Sequence, residues 1–163
     1  YNNMKYQLSL IRHAKSSWNL PLEDKLRPLN EVGIQLAIVM REHVQSIIKD
    51  ADYVFSSPAV RARSTANLML EGLPIKQNTF EIIPELYTFD VRQLETFVKK
   101  LSSSLTHVFL FGHNSAITDF VNKFGDRYIE NVPTSGWVTI EFDCENWSQI
   151  QKGITVRFRT PRD

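Results

Sequence analysis

Two apolar runs in this 163-residue chain each stop at a histidine where a small-residue turn begins, and that punctuation constrains the fold most. The first is Leu8-Ser9-Leu10-Ile11-Arg12-His13-Ala14-Lys15-Ser16-Ser17; the second is Val108-Phe109-Leu110-Phe111-Gly112-His113-Asn114-Ser115. A short apolar run, a turn and then helical periodicity describe a buried strand that delivers its end to a βα loop. The pattern recurs. Residues 6–11, 53–55, 81–83 and 107–111 read as strands, and residues 60–71, 91–101 and 115–124 as helices. Asn30 is a good N-cap for a further helix, whose apolar positions Ile34, Ala37, Ile38, Met40, Val44, Ile47 and Ile48 keep a mostly helical period. Residues 138–142 and 154–158 alternate like later, half-exposed strands. Strands alternating with helices predict an α/β fold with a mostly parallel sheet covered by helices on both faces. Ligands bind such sheets at the carboxyl ends of the strands, where both histidines fall.

The length suits one domain spanning residues 1–163, which buries roughly two-thirds of its unfolded surface. Tyr1-Asn2-Asn3 ahead of Met4 reads as an added remnant, with Met4 the natural start. A net charge of +1 gives no reason to expect nucleic acid or an anionic membrane as a partner. No run of about 18 apolar residues marks a membrane span. No basic region followed by an apolar core opens the chain, and the lone Cys144 suits a reducing compartment, so a cytoplasmic location is expected.

Three strand ends then gather chemistry. The first brings Arg12 and His13, with Ser16 just beyond. The second runs through Ser56-Ser57-Pro58 to Arg61 and Arg63, and the fourth brings His113, Asn114 and Ser115. Each loop leads to a helix start with unpaired N–H groups and a positive dipole end. Guanidinium forks match phosphate oxygens, and cations beside an imidazole keep its ring nitrogen unprotonated. These features suit a tetrahedral dianion and a histidine nucleophile. Singly, each residue has a plainer role: Arg61 and Arg63 on a solvated helix face, His43 and His107 structural, Arg27 bracing a loop against Asp24. Trp18 and Trp137 are aromatic candidates either to line the site or to pack beside it.

The combination is more specific. Leu10-Ile11-Arg12-His13-Ala14-Lys15-Ser16-Ser17-Trp18 resembles the Arg-His motif of the histidine phosphatase superfamily, in its SixA-like phosphohistidine phosphatase variant. Residues 24–33, Asp-Lys-Leu-Arg-Pro-Leu-Asn-Glu-Val-Gly, look like that group's next block. Residues 56–66 are similar to its second-arginine motif, Gly112-His113-Asn114 to its second-histidine motif, and Pro133-Thr134-Ser135-Gly136 to its small-residue turn. The resemblance implies a phosphoglycerate mutase-like three-layer sandwich and a metal-independent phosphatase without cofactors. It implies His13 as the nucleophile that becomes a phosphohistidine, with Arg12, Arg61 and His113 completing the phosphate pocket and Ser16 and Asn114 assisting. Glu85 is the positional candidate for a leaving-group acid; Asp90 competes, and a site without a dedicated acid is also open. Substrates would be a phosphohistidine protein or a similar phosphorylated molecule. The chain is short for a mutase. The oligomeric state is left open.

Rival chemistries find little support. A cysteine phosphatase needs an arginine to close its loop on phosphate, and Ile150 stands where Cys144 would require it. Asp50-Ala51-Asp52 precedes a strand, whereas an aspartyl nucleophile would follow one. No Gly-x-x-x-x-Gly-Lys-Ser/Thr loop is present. A zinc site on His13 and His113 lacks an evident third ligand and faces arginines. Two alternatives remain: a promiscuous small-molecule phosphomonoesterase, and a phosphoprotein-binding module without turnover.

Overall fold

The computed structural model describes residues 5–74 and 79–163; the remnant proposed at residues 1–3 lies outside them. Six strands, β1 (Lys5–Arg12), β2 (Tyr53–Ser56), β3 (Phe80–Ile82), β4 (His107–Gly112), β5 (Trp137–Asp143) and β6 (Ile154–Arg159), form one sheet. Its order is β3-β2-β4-β1-β5-β6. The first four strands run parallel, while β5 and β6 are antiparallel additions at one side. Among the described residues, four α-helices cover the sheet: α1 (Glu31–Ile48), α2 (Val60–Leu70), α3 (Val91–Lys99) and α4 (Ala116–Phe124). The result is the expected mostly parallel three-layer sandwich.

The two faces carry separate apolar clusters. Ala37, Met40 and Val44 of α1 and Ala66 and Met69 of α2 pack with Phe109, Phe111 and Trp137. Leu94 and Val98 of α3 and Ile117, Phe120 and Val121 of α4 pack with Tyr6, Leu8, Leu10, Val138 and Ile140 on the other face. Central strands wetted on neither side must be apolar almost throughout, which is why β1 and β4 read as continuous runs.

Register then builds the site. β1 and β4 pair Arg12 with Gly112, and the His13 amide donates to the Gly112 carbonyl at 3.1 Å, so both histidines leave the sheet side by side. β2 and β4 pair Ser56 with Phe111, which brings Ser57 to the same edge; its amide donates to the Phe111 carbonyl at 3.0 Å. Ser135 sits in the left-handed region (φ 61°) and donates its N–H to the Arg12 and His13 carbonyls, tying the turn before β5 to the end of β1. Asn30 caps α1 as predicted, accepting from the Gly33 amide at 2.7 Å. Gly33 packs so closely that a Cβ there would lie 2.1 Å from the Lys15 carbonyl oxygen.

Candidate active site

A cavity of about 350 Å³ opens at these strand ends, and its lining includes Arg12, His13, Arg61 and His113. Both histidines are buried, with ring centroids 5.3 Å apart. His13 Nδ1 lies 2.6 Å from the Ala14 carbonyl oxygen. A carbonyl only accepts, so Nδ1 carries the hydrogen and Nε2 keeps its lone pair. The Ala14 amide in turn donates to Thr65 Oγ1 at 2.8 Å, and that hydroxyl donates to the Arg61 carbonyl, which fastens the His13 loop to α2.

Burial, more than charge, sets the protonation of this pair. Desolvation lowers His13 to about 4, and the guanidiniums of Arg61, Arg12 and Arg27 push the same way. His113 falls to about 3, again chiefly through burial, with His13 and Arg61 adding to it. Both rings are therefore neutral near pH 7. His113 Nε2 pairs with Ser57 Oγ at 2.8 Å. Among the described residues, His113 Nδ1, Arg12 Nε and Arg61 Nε are buried without a hydrogen-bond partner.

Asp24 is the carboxylate of this cavity, a role the sequence reading did not give it. One of its oxygens accepts the Arg27 fork (3.3 and 3.1 Å); the other accepts Arg61 Nη2 at 2.8 Å and the Tyr87 hydroxyl at 2.6 Å. Burial alone would raise its carboxyl, but the hydrogen bonds from Tyr87, Arg61 and Arg27 outweigh it and hold Asp24 well below the usual carboxylate range. It is an acceptor at neutral pH, with no proton to give. Arg61 also donates to the Asp24 backbone carbonyl at 2.6 Å, so two of its donors are fixed while Nε is left over.

The remaining candidates divide. Ser16 lines the cavity and accepts from Arg27 Nη1 at 2.6 Å. Asn114 lines it too, yet its amide is already engaged: Nδ2 donates to Asn131 and Val132, and Oδ1 accepts from the Thr118 amide and hydroxyl of α4. Arg27 both braces the loop and belongs to the site, whereas the exposed Arg63 donates to the Pro58 carbonyl outside the cavity lining. Glu85 lies in a neighbouring cavity of about 680 Å³ with Asp90 and Arg92, outside the lining shared by His13 and Arg61. Asp90 caps α3 through the Arg92 amide. Trp18 lines the site; Trp137 is buried in the core under Arg157. Among the described residues, no group of three or more His, Cys, Asp or Glu side chains is placed to hold a metal ion. None of the described helices is long and apolar enough to cross a membrane.

The sequence model of the histidine phosphatase superfamily (branch 1) matches residues 8–100, more than half of the chain and the segment that carries Arg12, His13 and Arg61. The chain belongs to the histidine phosphatase superfamily. No curated protein sequence matches it. Among solved structures it is similar to the protein histidine phosphatase SixA complexed with tungstate, with a TM-score of 0.80 at 19% identity over 96% of this chain and 97% of that one. It is also similar to an alpha-ribazole phosphatase of Shigella flexneri (0.67, 18%, 93% and 99%). A phosphoserine phosphatase of Entamoeba histolytica in complex with 3-phosphoglyceric acid is a further likeness (0.66, 15%, 95% and 97%). At these identities the structural likeness establishes the superfamily's fold.

Proposed function

We propose that the chain is a metal-independent phosphatase that hydrolyses a phosphohistidine protein, or a similar phosphorylated substrate, through a phosphohistidine on His13. The observation that carries this reading is the His13 ring itself: Nδ1 is anchored on the Ala14 carbonyl, and Nε2 is free and unprotonated inside a basic cavity. A module that only binds phosphate needs the arginines but has no use for such a nitrogen.

The steps follow from the geometry. Nε2 attacks phosphorus; the Nε2–P bond forms as the bond to the leaving group breaks, and the leaving group departs with the electron pair. Arg12, Arg61 and His113 offer N–H groups to the transferring oxygens, where charge stabilisation is usually the largest catalytic contribution. Water then attacks the phosphohistidine, releasing inorganic phosphate and restoring His13. A phosphorylated imidazole whose second ring nitrogen is protonated departs as neutral imidazole and needs no acid. This fits a cavity whose carboxylate, Asp24, is ionised and whose lining omits Glu85. An alkoxide would need a proton that none of these groups is set to supply, which favours the phosphohistidine substrate over an alkyl phosphomonoester.

A rapid-quench trap under alkaline conditions with a labelled aryl phosphate tests the mechanism. Label should remain on the wild type and be missing from His13→Ala, which should also lose turnover. A labelled phosphoenzyme in the variant would end the assignment of His13 as nucleophile, and binding without label or turnover would favour the phosphoprotein-binding module.

A further inference from the structure

Two aromatic side chains in the cavity wall have no part in the phosphate chemistry: Trp18 and Phe89. Both are exposed, Trp18 at 78% and Phe89 at 49%. Trp18 is nevertheless held in place. The Arg27 guanidinium stacks on the indole, its carbon 3.5 Å from the ring centroid. Arg27 is buried and tied to Ser16, to the Ser17 carbonyl and to Asp24. One indole face is thus set against a fixed cation while most of the ring is open. Phe89 stands edge-on to His113, centroids 5.4 Å apart, and so borders the nucleophile's neighbour.

Fixing a large exposed side chain costs conformational entropy and gains little unless something lies on it. Around a pocket whose base takes a phosphoryl group, whatever lies against the wall is the remainder of the substrate. Aromatic faces favour flat partners, through stacked or edge-on contacts that a puckered or linear chain cannot match.

We propose that Trp18 and Phe89 form a leaving-group subsite selective for a planar ring, the imidazole of a phosphorylated histidine being the class it fits. The inference rests on the phosphatase reading for its substrate, but its binding test does not require turnover. Phenylphosphonate and cyclohexylphosphonate share a head group, resist hydrolysis and differ in the flatness of the ring. Intrinsic fluorescence follows their binding at Trp18, since Trp137 and Trp147 are buried. The wild type should bind the phenyl compound roughly three- to tenfold tighter, the range expected of one good aromatic contact. Trp18→Ala, followed by competition against a bound chromophoric phosphate analogue, should bring the ratio close to one. Trp18→Phe should keep most of it, and affinity for inorganic phosphate should stay within about twofold in both variants.

Equal affinities in the wild type, a preference that survives Trp18→Ala, or no binding of either phosphonate would overturn the subsite. A phosphohistidine peptide extends the test to turnover: Trp18→Ala should raise its KM severalfold, and Trp18→Phe should keep KM close to the wild-type value. Ring preference without hydrolysis of any phosphate would instead sink the phosphatase reading and leave the subsite standing.

Discussion

At the scale of single residues, the candidate site presents donors that the fold already holds in place. Arg61 is the clearest case: it is buried, two of its nitrogens are fixed by Asp24, and its Nε has no partner among the described residues. Arg61→Ala should therefore lower kcat by roughly 10²–10³, the usual cost of removing one charge-stabilising donor. Steady-state turnover of an aryl phosphate measures this; a near-normal rate would transfer the role to Arg27 or Arg12. His13, Arg12, Arg61 and His113 could be picked out in the sequence because strand ends and helix starts announce themselves locally. Trp18 could be named only as an aromatic that either lines the site or packs beside it, and the places of Asp24 and Phe89 in the cavity wall could not be read at all. They lie on loops whose paths are set by tertiary contacts such as the Tyr87 hydroxyl on Asp24, and no local spacing encodes those. Position in the chain placed Glu85 after β3, but said nothing about which of two adjoining cavities it would line.

At the scale of elements, the parallel strands and their helices were legible because burial on both faces imposes unbroken apolar runs and long periodic helices. The ends shifted by a residue or two, as at α3, which stops at Lys99, and at β5, which begins at Trp137. The short 3₁₀ turns at Asp24–Leu26 and Pro84–Leu86 escaped because so few residues carry no period. The packing of α1 shows how an element reaches the site. Its first turn touches the loop after His13 through Gly33, where a side chain would collide with the Lys15 backbone. Backbone yields less readily than a side chain, so Gly33→Ala should cost about 1–3 kcal/mol, as overpacking typically does. Urea unfolding followed by circular dichroism measures the cost. Turnover should fall as well, because the displaced loop holds Ser16, the partner of Arg27. An unchanged midpoint would show that α1 can shift away without strain.

At the scale of the whole molecule, the sheet order β3-β2-β4-β1-β5-β6 is what assembles one basic cavity from distant segments, and it could not be read from the sequence, which specifies strands but not neighbours. Guanidiniums concentrated there oppose a bound cation, so chelation with EDTA should leave the turnover rate unchanged; loss of activity that zinc restores would revive a metal mechanism. Burial of the two histidines at the strand ends, reinforced by these guanidiniums, makes stability depend on pH. His13 and His113 stay neutral in the fold down to about 4 and about 3, against 6.5 for a free imidazole. Above pH 6.5 neither the folded nor the unfolded chain protonates them, and they contribute no pH dependence. Below it the unfolded chain takes up protons that the folded chain refuses, so stability falls as pH drops from 6.5 towards 4. Each histidine contributes up to about 1.4 kcal/mol per pH unit across that window. The Asp24 carboxyl, held low in the fold, adds its own loss only as pH falls below its ordinary value of 3.8, so the histidines dominate between pH 4 and 6.5. Urea midpoints measured at pH 7 and pH 5 should therefore differ for the wild type, and differ less for His113→Gln, which removes one of the two protons in question. The same pH dependence in both proteins would mean that His113 protonates as readily in the fold as outside it, and that burial at the strand ends does not keep the ring neutral.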